Sequence, residues 1–174
     1  NCMNEGNVTG EGIDLGGIIG IGYYSIQNCE NTGEIQNTST NTERCKMIAG
    51  IVGWNLGTIA NCSNLGNITA SSSSSSYIGG IAGMSNNGNS ILPILLENCF
   101  NTGNISGNTY VGGVVGTLAS GASIRSCYNV GNVSGTDRVG GIVGHTVTES
   151  GEFKNLYNKG NVTANTDYVG GIVG

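Results

Sequence analysis

The chain has 174 residues and a net charge of −5 from six Lys/Arg and eleven Asp/Glu, so it offers no cationic footprint for nucleic acid or an anionic membrane. Charged residues make up only 10% of it, Gly alone numbers 32, and there are two Phe, one Trp and one Pro, which argues against an ordinary globular core; no triplet period points to collagen either. No apolar run approaches the ~20 residues needed to cross a bilayer, so this segment is expected not to insert into a membrane.

Taken in chain order, one pattern returns six times. Its first half is an Asn-x-Gly at Asn4/Gly6, Asn31/Gly33, Asn64/Gly66, Asn101/Gly103, Asn129/Gly131 and Asn158/Gly160. Its second half is a glycine-framed pentapeptide at 16–20, 49–53, 79–83, 112–116, 140–144 and 170–174, reading GGIIG, AGIVG, GGIAG, GGVVG, GGIVG and GGIVG. Units open at residues 1, 28, 61, 98, 126 and 155, giving intervals of 27, 33, 37, 28 and 29 around a base unit of about 28. Self-similarity at such a period marks a solenoid, in which each unit borrows burial from its neighbours.

Within each unit, short Ile/Val runs punctuated by Gly predict strands joined by turns, and no window sustains a helical period. The Gly of Asn-x-Gly is free to take positive φ, and the Asn amides are expected to bond to the turn backbone or to the Asn one coil away. The glycine pair predicts a sharp bend or a close backbone approach. Insertions at 36–47, 71–76 and 84–97 read as outer loops. The expected fold is all-β: a parallel β-solenoid of about six coils, right-handed by analogy with parallel crossovers. It forms one domain over 1–174, read as a segment of a longer chain. Val8, Ile35, Ile68, Ile105, Val133 and Val162 should face inward, with the Ile/Val of each pentapeptide.

Cys2, Cys29, Cys62, Cys99 and Cys127 share one position, where the sixth unit has Leu156, and only Cys45 lies outside it. A column of equivalent positions cannot converge four ligands on a tetrahedral ion. It reads as buried free thiols ahead of disulfide pairing, with a metal least favoured and no cofactor expected. His145 lies outside any HExxH pattern and reads as a surface-loop residue. Asp14, Asp137 and Asp167 lie in or near one register before the glycine pair and read as a solvated edge rather than a calcium or catalytic set. Sequons such as Asn67-Ile-Thr69 read as turn Asn plus strand Thr. The aromatic positions vary between units. Tyr77, Tyr110, Arg138 and Tyr168 precede the glycine pair, while Tyr128 and Tyr157 follow the cysteine column. They read first as cross-coil packing. Facing outward, they are the candidate ligand-binding residues for a sugar or a protein.

The runs YVGGVVG (110–116) with SCYNVGNVSG (126–135), and RVGGIVG (138–144) with NLYNKGNVT (155–163), resemble the bacterial surface repeat called the GLUG motif. The resemblance covers essentially the whole chain, most loosely in the first two units. It implies a secreted or cell-surface bacterial protein, of the kind that includes immunoglobulin A metallopeptidases and filamentous adhesins. In those the repeat is similar to a non-catalytic spacer or binding segment, so no catalytic residue carries over. The function expected is a non-enzymatic stalk or adhesion module whose partner is a host glycan or protein. The alternatives are an accessory domain of a surface peptidase and, last, a glycan-cleaving β-helix enzyme.

Overall fold

Each unit bends into short strands that lie on the equivalent strands of the next unit, because the Ile/Val runs are too short and too glycine-broken to bury themselves alone. The computed structural model describes residues 1–41, 46–71, 76–86, 94–147 and 151–174, so Cys45, Pro93 and parts of the predicted insertions lie outside the described residues. Among the described residues every regular element is a β-strand.

The first turn sets the plan: Cys2–Asn4, Val8–Gly10, Asp14–Gly16, Ile19–Gly22 and Ile26–Gln27, after which the chain re-enters the first sheet at Cys29–Asn31. These begin five parallel sheets, here the cysteine sheet, the second, third and fourth sheets, and the return sheet. The first three hold six strands and the last two hold five, giving five complete turns and the opening strands of a sixth. The parallel β-solenoid expected from the repeat is therefore what forms. Unequal unit lengths do not disturb the register, since Asn64 pairs with Asn101 and Asn101 with Asn129 despite separations of 37 and 28 residues.

The conserved position within the units is the Asn of Asn-x-Gly, and it builds a spine along the axis. Each Asn donates one amide hydrogen to the Asn Oδ1 of the next turn, at 2.7–2.9 Å from Asn4 through Asn158. The other hydrogen goes to the carbonyl of the Gly two residues on, at 2.7–2.9 Å. Asn31, Asn64, Asn101 and Asn129 are fully buried, so this satisfaction is what makes a polar column tolerable inside.

The spine divides the interior. One apolar cluster joins the cysteine column to Ile51, Val52 and their equivalents and to Ile26, Ile59, Leu96 and Ile124 of the return sheet. A second joins Ile35, Ile68, Ile105 and Val133 to Ile48, Ile78, Val111 and Val139, with Val8 and Val162 partly buried at its ends. Between them the coil is pinched where the Asn column meets Gly17, Gly50, Gly80, Gly113 and Gly141 of the glycine-framed pentapeptides. A Cβ on Gly80 would lie 2.6 Å from both Cβ and Cγ of Asn101. The interior is thus two compartments, each gaining about 1.5–3 kcal/mol per buried Ile or Val.

The glycines of Asn-x-Gly do not take the positive φ open to them; among the glycines of the described residues only Gly121 does. They are glycines because a Cβ on Gly66 or Gly103 would overlap the glycine carbonyl of the preceding turn. Positive φ occurs instead at the corner before the cysteine column, at Asn28, Asn61, Asn98 and Asn155 and also at Ser126, with φ of 50–54°. Asn tolerates this left-handed conformation and Ser less so. Ser126→Asn is therefore expected to stabilise the fold by about 0.5–1 kcal/mol, read as a raised thermal midpoint. Asn61→Ala should lower it.

Candidate functional site

Outward residues of the solenoid form columns because equivalent positions stack one step apart. The six candidate residues fall in two such columns. Tyr77, Tyr110, Arg138 and Tyr168 continue from Asp14 and Met47 on the third sheet. Tyr128 and Tyr157 follow Ser63 and Phe100 on the cysteine sheet, across the pinched waist. The sequence assigned them to these two columns, and the structure does not bring the columns together.

On the third sheet the side chains stack along the axis. Tyr77 and Tyr110 lie with ring centroids 5.0 Å apart, and the Arg138 guanidinium sits 5.2 Å from the Tyr110 ring and 5.0 Å from that of Tyr168. Arg138 also pairs with Asp137. Tyr110, Arg138 and Tyr168 hold positive φ, at 53°, 53° and 61°, an unfavourable backbone state for such residues. The stacked contacts hold it in place.

A neighbouring column was missed from sequence. The residue after each closing glycine, namely Ile21, Trp54, Met84, Thr117 and His145, runs along the fourth sheet. It lies beside the third because the closing glycine lets the two backbones meet: a Cβ on Gly83 would sit 2.7 Å from the Tyr77 carbonyl oxygen. His145 is accordingly a half-buried strand residue with its ring 5.4 Å from that of Tyr110, not a loop residue. Burial, then Arg138, lower its pKa, partly offset by Asp137. The signal was available, since these residues share one offset from a repeated glycine. Their mixed chemistry concealed it.

The strip made by these two columns carries three buried polar atoms without a hydrogen-bond partner: Asp14 Oδ1, Trp54 Nε1 and Thr117 Oγ1. Burial raises the Asp14 pKa. Asp14 stands in the outward column, whereas Asp137 and Asp167 share the position before it, Asp137 level with Thr109, so the three lie near one register with an offset of one residue. Among the described residues no three His, Cys, Asp or Glu side chains form a group able to hold a metal. A small polar depression lies elsewhere, between Glu34, Gln36, Asn67 and Thr69 of the second sheet.

Aromatic recognition of a sugar needs a free ring face. Phe100 and Tyr128 stack at 4.9 Å with planes 1° apart, and Tyr77 and Tyr110 cover each other. The widely exposed rings among the candidates are those of the sixth turn, Tyr157 at 57% and Tyr168 at 62%. Along most of their length these columns are packing.

The five cysteines among the described residues are free, with Cys29, Cys62, Cys99 and Cys127 buried and Cys2 exposed. Each buried thiol lies 3.1–3.3 Å from the backbone carbonyl two residues before it. Hydrogen bonds with Cys127 and Cys62, and then burial, push the Cys99 thiol well above its ordinary pKa, and Leu156 fills the equivalent place against the same core. The same bonding to Cys99 lowers the pKa of the Cys62 thiol to about 7 and lowers that of Cys127, so what withholds the buried thiols from reaction is their lack of solvent access, and they pack as small hydrophobes. Iodoacetamide with peptide mapping is expected to modify Cys2 in the native protein, while Cys62, Cys99 and Cys127 stay protected until the chain unfolds.

No family model, curated protein or solved structure matches the chain.

Proposed function

We propose that the chain is a non-enzymatic scaffold, a stiff stalk segment of a secreted or cell-surface bacterial protein. The observation that carries this reading is the unbroken Asn spine, which bonds every turn to the next along the axis. Each turn pairs its strands with those of its neighbours, so reach grows by about 4.8 Å per unit without any new kind of interface. The GLUG resemblance supplies the bacterial surface. Spin labels on non-natural residues at Thr9 and Thr163, exposed and in one column, test the rod. Double electron–electron resonance should give a narrow distance distribution near ~24 Å, five steps of about 4.8 Å. A broad distribution overturns the stalk.

One observation favours a second reading, adhesion to a host glycan or protein: the partnerless Trp54 Nε1 and Thr117 Oγ1 on the aromatic strip. Array binding that is lost on Trp54→Phe or Thr117→Val supports it, and unchanged binding by both variants removes it.

A further inference from the structure

We propose that the outer face of the cysteine sheet binds the same face of a second copy of this chain, side by side and antiparallel. Two outward columns form this face: the residue after each cysteine-column position and the residue after each spine Asn. Their chemistry changes along the axis. The first two turns present Glu5 and Glu30, the middle turns Leu65, Phe100, Tyr128 and Val130, and the sixth Tyr157 and Lys159. Leu65, Tyr128 and Val130 are exposed although their strands are paired on both sides. Their exposure is a property of the lateral surface and does not depend on what lies beyond either end of the stack.

Charge decides the orientation. Glu5 and Lys159 are exposed, and among the described residues neither has an ion-pair partner in its own chain. A two-fold axis crossing the face between the third and fourth turns sets the first turn on the partner's sixth and the second on its fifth. Each column then faces its own reverse. Glu5 meets the partner's Lys159. Glu30 accepts from Ser63 through one carboxylate oxygen and offers the other to the hydroxyl of the partner's Tyr128. Leu65 lies diagonal to the partner's Phe100. A parallel pair would instead set acidic turns on acidic turns, which repel. The antiparallel contact is isologous, so it closes as a dimer. A strip two columns wide is smaller than a standard interface, so one pair is weak and many copies reinforce one another. On the surface-stalk reading above, on which this consequence rests, antiparallel pairing joins stalks that project from two facing cells.

Charge reversal on the whole chain tests the pairing. Sedimentation velocity should show the wild-type chain in a concentration-dependent monomer–dimer equilibrium. Glu5→Lys or Lys159→Glu each turns two attractive pairs into repulsive ones and should weaken the dimer about tenfold or more. Mixed 1:1, the two variants should form a heterodimer as tight as the wild-type dimer, because every facing pair is again opposite in charge. Both side chains are exposed, and circular dichroism with melting checks that each variant keeps the fold. Three results overturn the proposal: a wild-type chain monomeric up to its solubility limit, single variants that dimerise like the wild type, or a mixture no tighter than its components. The Thr9–Thr163 distance within one chain reads the rod separately, so failure of the pairing leaves the stalk standing.

Discussion

Asn64→Leu is expected to cost about 3–9 kcal/mol, enough to unfold most single domains at the lower end of the usual range. The side chain meets three fully buried demands. It accepts from Asn31 Nδ2 at 2.8 Å, and it donates to Asn101 Oδ1 at 2.7 Å and to Gly66 O at 2.8 Å. Leucine restores volume but leaves a donor and two acceptors in the interior with no water to replace the Asn, at about 1–3 kcal/mol each. Asn67→Ala is the control. Its exposed side chain makes one bond, accepting from Asn104 N at 2.9 Å, and its loss should cost about 0.5–1.5 kcal/mol. Urea midpoints at constant m separate the two. A cost below about 1 kcal/mol for Asn64→Leu would mean that the spine specifies register without stabilising the fold.

Gly80→Ala is expected to cost more than Gly79→Ala, although the two glycines are adjacent and chemically identical. A methyl on Gly80 points into the waist, where it overlaps Gly113 O and lies 2.6 Å from Asn101 Cβ and Cγ. None of these can yield without breaking the spine, so a penalty of about 3 kcal/mol or more follows. At Gly79 the methyl meets the Ala82 carbonyl of its own bend and, at 2.8 Å, Gly116 N and Val114 O of the next turn, but it touches no spine side chain. The chain already carries this substitution: Ala49 pairs with Gly79 in the third sheet and is wholly buried. Gly79→Ala should therefore cost about 1 kcal/mol. Equal penalties in chemical denaturation would contradict the waist.

The repeat made the solenoid, the cross-turn Asn bonding and the free-thiol column readable from sequence. Each is a statement about one position recurring, and Leu156 among the cysteines already marked an apolar slot. The inward Ile and Val of the second sheet were readable for the same reason. What could not be read depends on how one part of a turn meets another. Nothing local in Asn-x-Gly separates a glycine required by φ from one required by a passing carbonyl, and the structure shows the latter at Gly66 and Gly103. The two compartments likewise exist only because Asn64 and Gly50, 14 positions apart, meet across the interior. The candidate residues were recognised as columns, yet their faces could not be assigned. Tyr77 and Tyr110 use theirs on each other, whereas Tyr168 keeps one free.

The buried Asn spine is the claim on which both the stalk and the waist depend. Hydrogen exchange of the side-chain amides, followed by NMR on the folded protein, reads it directly. Both Nδ2 protons of Asn31, Asn64, Asn101 and Asn129 should exchange only through global unfolding, while those of exposed Asn67, Asn104 and Asn132 exchange freely. Exchange in the spine as fast as at Asn67 would contradict it.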